Sequence, residues 1–160
     1  MNIFIGGPRA VKILENAVKS RLDGIVDKGF QVLVGDADGV DACVQEYLAG
    51  KNYGHVTVYA SNGRARNNAG GWAIRNIVAP RNSKGFNFYA AKDYAMAEDS
   101  DYGFMIWNGV SRGTQNNIKN LLALNKRVLL YFAPTQVFIV VKSFEDIKRL
   151  SGQSPHSLSL

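Results

Sequence analysis

Four short stretches of the chain carry the residue types that chemistry needs. Gly6-Gly7-Pro8-Arg9 puts two glycines beside a guanidinium, and Asn108-Gly-Val-Ser-Arg-Gly-Thr114 combines turn glycines with the Ser111 and Thr114 hydroxyls and Arg112. Both suit an anion, because glycines let backbone N–H groups approach a phosphate and a helix N-terminus adds unpaired amides and the positive end of a dipole. Asp36-Ala-Asp38-Gly-Val-Asp41 gathers three carboxylates in one turn. Asp36 or Asp38 suits ribose hydroxyls or acid/base work, while Asp38 with Asp41 also reads as a helix capping box. Glu98-Asp99-Ser-Asp101 is a solvated acidic turn in which Glu98 is a further candidate for acid/base catalysis. The glycine loops have plainer readings too, with Pro8 opening a helix and Ser111 or Thr114 as an N-cap.

The elements that must hold these loops alternate between strand and helix patterns. Asn2 to Ile5 is an apolar run, and Val11, Leu14, Val18, Leu22 and Ile25 then recur at helical spacing up to Lys28-Gly29. Phe30 to Val34 is a second strand, followed by a stripe of Val40, Cys43, Val44, Tyr47 and Leu48. His55 to Tyr59 is a third strand, and a long Gly/Asn/Arg stretch from Ser61 to Gly85 reads as a loop with a weak element near Trp72 to Val78. Asn87 to Glu98 predicts a helix with Tyr89, Ala90, Tyr94 and Ala97 inward, and Tyr102 to Trp107 a strand. A helix from Thr114 to Asn125, strands at Arg127 to Phe132 and Val137 to Val141, and a short helix at Phe144 to Leu150 complete the pattern. The expectation is an α/β, Rossmann-like three-layer sandwich with a mainly parallel central sheet: one domain over 1–150 and a flexible tail over 151–160. Ligands of such sheets bind beyond the carboxyl ends of the strands, where all the glycine and aspartate loops fall.

Composition narrows the function classes. With 160 residues and 46% apolar content the chain can bury one sizeable core. No apolar run reaches the roughly 20 residues a membrane span needs, and the N-terminus carries no signal-peptide pattern, so a cytoplasmic protein without membrane contact is expected. Cys43 alone excludes an internal disulfide, and with only His55 and His156 there is no zinc cluster, nor does the Asp36 to Asp41 turn have EF-hand spacing. No metal and no cofactor is expected. G-x-G-x-x-G and Walker A sequences are both absent, which removes the usual support for NAD hydride transfer and P-loop hydrolysis.

The net charge of +6 has an address: no acid occurs between Glu46 and Asp93, where Lys51, Arg64, Arg66, Arg75, Arg81, Lys84 and Lys92 fall. Such a segment is either a solvated face or a surface for phosphate or nucleic acid. Phe86, Phe88 and Tyr89 beside it, and Trp107 at a strand end, are candidates for base stacking.

Together, the N-terminal strand into Gly6-Gly7-Pro8-Arg9, the Gly35 to Asp41 turn and Trp107 to Thr114 resemble the SLOG superfamily of Rossmann-like proteins, especially its small stand-alone members. The likeness extends over roughly residues 2 to 132. It implies a nucleotide or nucleotide-derived ligand such as an ADP-ribose compound, a role in bacterial or phage conflict systems, and a homodimer or larger homo-oligomer. One branch, the LOG enzymes, hydrolyses nucleoside monophosphates to base and ribose 5-phosphate; another, the DNA-processing protein family, binds single-stranded DNA. The LOG motif Pro-Gly-Gly-x-Gly-Thr-x-x-Glu falls on Asn108 to Asn117, where Gly113 and Thr114 match and Asn117 replaces the glutamate. Its Arg-Lys-x-x-Met motif falls on Lys92 to Met96, with Met96 kept and Lys92 standing in for arginine. The phosphate-binding half therefore carries over better than the catalytic half.

The expected function is binding of a phosphorylated nucleoside-derived ligand, with N-glycosidic hydrolysis left open. Gly6, Gly7, Arg9, Ser111, Arg112, Gly113 and Thr114 would surround the phosphate, with Gly35, Trp107, Asn108 and Asn117 completing the ligand set. Asp36, Asp38 and Glu98 are the candidate catalytic carboxylates. The alternative is single-stranded nucleic-acid binding through the basic segment 51–92.

Overall fold

The computed structural model describes residues 1–150; the expected tail, 151–160, lies outside them. Its elements are β1 (Asn2–Gly6), α1 (Asn16–Asp27), β2 (Gln31–Gly35), α2 (Val40–Gly50), β3 (Val56–Ser61), β4 (Ala73–Ile77), α3 (Phe86–Asp99), β5 (Tyr102–Trp107), α4 (Arg112–Ala123), β6 (Arg127–Phe132), β7 (Val137–Val141) and α5 (Phe144–Lys148). They form one seven-stranded sheet in the order β4-β3-β2-β1-β5-β6-β7, parallel except for the antiparallel β6–β7 pair. The Rossmann-like three-layer expectation holds.

Alternation along the strands sends side chains to two cores. Ile3 and Ile5 join Val18, Leu22, Val44 and Leu48 under α1 and α2, while Phe4 joins Met96, Met105, Ile118 and Leu121 under α3 and α4. Burial on both faces is why β1, β2 and β5 read as continuous apolar runs rather than alternating ones.

Several sequence expectations are corrected. The first helix starts at Asn16, not near Val11, so Pro8 opens no helix. Val11 and Leu14 still pack inward, but from an irregular segment crossing the end of the sheet, which mimics helical spacing. The weak element expected near Trp72 to Val78 within the long loop is β4, an edge strand whose first four residues are exposed and therefore carry no apolar period. The helix expected over Asn87 to Glu98 buries Lys92, Met96 and Ala97, whereas Tyr94 is 43% exposed. The expected Asp38–Asp41 capping box does not form. Gly39 is the N-cap of α2, at φ 82, and a Cβ there would lie 2.4 Å from Pro8 O. This glycine lets the segment after β1 press onto the start of α2, where Val40 N donates to Pro8 O at 3.1 Å.

Candidate functional site

Strands β2, β3 and β4 extend from one side of β1, and β5, β6 and β7 continue from the other, so the chain changes direction between β1 and β5. Open α/β sheets part their loops at such a point and leave a crevice. Here a cleft of about 340 Å3 opens among the loop after β1, the β2–α2 turn and the starts of α3 and α4.

One wall is rich in donors. Asn108 Oδ1 accepts from Val110 N at 3.0 Å and Ser111 N at 2.8 Å, and Gly109 at φ 85 turns the chain into α4. Ser111 caps the helix: its Oγ accepts from Thr114 N at 3.3 Å and from Thr114 Oγ1 at 3.0 Å. The Arg112 and Gly113 amides belong to the first turn, where no intrahelical acceptor exists. A Cβ on Gly113 would meet nothing within 4 Å, so the helix end is open to the cleft that this residue lines. Gly6 and Gly7 also line it. Gly7 fits only as glycine, because a Cβ would stand 2.6 Å from Val40 Cγ2 and 2.9 Å from Ile106 O. Asn117 lines the cleft at 8% exposure, and its Oδ1 has no hydrogen-bond partner.

The opposite wall is a charge cluster. Asp36 ends the β2 run and is buried; Arg66 reaches its Oδ1 at 2.8 Å and donates its backbone N–H to Oδ2 at 2.9 Å, and Lys92 Nζ lies 3.5 Å from Oδ1. Lys92 also pairs with Asp93 at 3.4 Å. Burial pushes the Asp36 carboxyl up, but the two Arg66 hydrogen bonds and the nearby cations outweigh it and hold the group below the usual carboxylate range. Asp41 has weaker support: its Oδ2 accepts from Ala37 N at 3.2 Å. Burial pushes Asp41 up to about 7, against the pull of Lys92 and with the help of Asp93 and Asp36. Burial raises Asp93 as well.

Phe86, Tyr89 and Arg9 complete the lining, with Arg66 stacked on Tyr89 at 4.4 Å and Phe88 packed edge-on against the same ring at 4.9 Å. Arg112 instead sits exposed, 5.9 Å from the Phe86 ring.

The structure thus brings Gly6, Gly7, Arg9, Ser111, Gly113, Thr114 and Asn117 to one cleft. It does not bring the others there as expected. Trp107 is 1% exposed and donates its indole N–H to Ser111 O at 3.0 Å, so it braces the loop and has no face for a base. Glu98 lies at the amino-terminal edge of the sheet, where its carbonyl accepts from Lys126 just ahead of β6. A helix running antiparallel to the strands carries its last turn away from their carboxyl ends. Asp38 is exposed and accepts from Asn67 at 3.1 Å. Asp36 is consumed by its cations, and Gly35 is packed so closely that a Cβ would meet Asp41 Oδ2 at 2.4 Å. Sequence reasoning missed Asp41 and Asp93 as cleft carboxylates. The spacing of Tyr89, Asp93 and Met96 on one helical face was the available signal for the second.

A scan against protein-family models gives no match, and no curated protein matches the sequence. Among solved structures, DNA processing protein A from Helicobacter pylori, described for its unique single-stranded DNA binding mode, is similar with a TM-score of 0.62 at 14% identity. The match covers 81% of this chain and 64% of that one. At this identity the likeness defines the class by fold, a Rossmann-like α/β protein. Among the described residues no helix is long and apolar enough to cross a membrane, and no cluster of His, Cys, Asp and Glu has the makings of a metal site.

Proposed function

We propose that the chain binds a phosphorylated nucleoside-derived ligand, of the nucleoside monophosphate or ADP-ribose type, in the cleft between β1 and β5. The observation that carries this reading is the open first turn of α4: Gly113 has free space where a side chain would stand, at the switch point of the sheet. Unpaired amides and the helix dipole there favour a phosphate. Asn117 adds an amide whose buried oxygen has no partner within the protein, and Phe86, which lines the cleft and is 49% exposed, offers a ring face to a base. The SLOG resemblance points the same way. In a thermal-shift assay AMP or ADP-ribose raises the melting temperature, and Gly113→Asp abolishes the rise while leaving the fold intact, because a carboxylate at this position suits the helix dipole but repels an anion. A mutant that responds like the parent sinks the reading.

This is a reading of binding rather than turnover. Asn117 supplies no negative charge to an electron-poor sugar carbon, Asp36 is held by Arg66 and Lys92, and of the two carboxylates that line the cleft Asp93 is paired with Lys92 and Asp41 is pushed toward its neutral form by burial. Release of free base from nucleoside monophosphates, followed by chromatography, is expected to be slow or absent.

A second reading, single-stranded nucleic-acid binding, draws support from the single-stranded DNA binding of the structural neighbour. Arg64, Arg81 and Lys84 are exposed and, among the described residues, have no carboxylate within ion-pair distance. Self-association belongs to the same set of proposals, since α3 exposes Phe86 (49%) and Tyr94 (43%); light scattering at micromolar concentration tests it.

A further inference from the structure

The cleft is polarised, and its acceptor side has more carboxylates than cations can serve. Three acids, Asp36, Asp41 and Asp93, cluster with two cations, Lys92 and Arg66, while the third cation of the lining, Arg9, forms no ion pair with any of them. Asp36 takes both Arg66 and the near side of Lys92 and has little capacity left. What remains toward the cleft is Asp41, whose Oδ2 holds only the Ala37 amide, and Asp93, whose Oδ1 shares the already divided Lys92. Above its titration at about 7 Asp41 is an ionised carboxylate, acceptor-only with about four lone-pair sites, and Asp93 likewise keeps oxygen lone pairs that Lys92 does not fill, so under alkaline conditions these two groups present unfilled acceptors. A phosphate cannot fill them, since it is itself an anionic acceptor. Hydroxyl groups can, because they donate.

The two ends of the cleft therefore ask for one molecule with an anion at one end and hydroxyl donors near it. The buried Asn117 Oδ1, on an α4 side chain whose Nδ2 lies 3.5 Å from where a Gly6 Cβ would stand, is a third acceptor in need of a donor. In open α/β sheets a carboxylate beyond the second strand commonly reads ribose hydroxyls. In this chain the residue at that place, Asp36, is spent on structure, and Asp41, one turn later, faces the cleft instead.

Building on the nucleotide-binding reading, we propose that Asp41 and Asp93 accept hydrogen bonds from the sugar hydroxyls of the ligand and make the cleft selective for ribose over 2′-deoxyribose. A site built to hydrogen-bond a hydroxyl disfavours the analogue that lacks it, because its acceptors are then left dry and unpaired.

The test is a calorimetric titration of the full chain at pH 8 with AMP, 2′-deoxy-AMP and inorganic phosphate. AMP is expected to bind at least about tenfold more tightly than 2′-deoxy-AMP. Asp41→Asn, which keeps an oxygen for the Ala37 amide, and Asp93→Ala bring the two ligands to within about threefold, a loss of discrimination that general destabilisation would not produce. Equal affinity for the two nucleotides in the wild type overturns the inference while leaving nucleotide binding standing, and this comparison decides even if both variants fail to fold. A ribose preference unchanged in folded variants removes it from these two carboxylates. Binding of an oligodeoxynucleotide with no binding of AMP or phosphate overturns the nucleotide reading and the sugar selectivity together.

Discussion

Lys92 Nζ lies 3.5 Å from Asp36 Oδ1, and the two side chains are only 4% and 3% exposed. The pair ties the middle of α3 to the end of β2, and Arg66 brings the β3–β4 connection to the same carboxylate at 2.8 Å. Breaking a buried pair from one side is costly because the other charge stays buried without compensation. Asp36→Ala, which leaves Lys92 with Asp93 alone and takes away the acceptor of both the Arg66 guanidinium and its backbone N–H, is expected to lose about 3 kcal/mol in urea unfolding. Arg66→Ala, on a side chain 31% exposed, is expected to lose only about 1 kcal/mol. Near-equal losses would mean that the cluster is wetter than its geometry implies.

Asp41 has the opposite linkage to Asp36. Its folded carboxyl titrates at about 7, above the ordinary 3.8, so the native state keeps a proton that the unfolded chain has released. Stability therefore falls as pH rises from about 4 to about 7, and the loss is complete above that window. Burial is the main cause of this value; Lys92 and the Ala37 amide pull it down, and Asp93 and Asp36 push it up. Asp41→Asn mimics the neutral form and is expected to exceed the parent by about 1–3 kcal/mol at pH 8, with the gain gone at pH 4. Denaturant midpoints at the two pH values check this; a pH-independent difference would contradict the raised titration.

Much of the scaffold was legible because its signals are local. Alternating strand and helix runs led to the parallel sheet, and Ser111 was readable as a cap from its place before an amphipathic stretch. The missing parts depend on long-range partners. Lys92, in an acid-free run, reads as surface until α3 lays it against Asp36, 56 positions earlier. Asp41 sits three residues after Asp38, where a capping box would put it, and only the intrusion of the Pro8 to Arg9 backbone onto Gly39 shows that the cap is taken. β4 is held by backbone pairing to β3 with exposed side chains, so its residue types mark it only as the weak element near Trp72 to Val78.

The two glycine loops differ in what glycine does for them, and alanine separates the roles. Gly7 is pressed against Val40 at 2.6 Å and Ile106 O at 2.9 Å, so Gly7→Ala is expected to cost about 1–3 kcal/mol through overpacking. Gly113 has open space, and Gly113→Ala is expected to be neutral or up to about 1 kcal/mol stabilising, since alanine is the better helix former. Thermal unfolding of both variants tests the contrast, and a destabilised Gly113→Ala would argue against an open cradle.

The acid-free segment is less basic in three dimensions than in sequence. Lys51 pairs with Asp23, Arg66 and Lys92 with Asp36, and Arg75 with Asp99. Arg64, Arg81 and Lys84 are the members without such a partner among the described residues, and each is exposed. Phosphate contacts release counterions, with a slope of about −0.7 per contact for single strands when log affinity is plotted against log salt. If this surface engages a single strand, replacing Arg64, Arg81 and Lys84 together by Ala should flatten that slope by about 2 for an oligonucleotide. Lys51→Ala and Arg75→Ala, which remove cations already neutralised, should flatten it far less. Fluorescence anisotropy across a salt series measures both, and equal effects from the paired and unpaired sets would show that the strand does not follow the free cations.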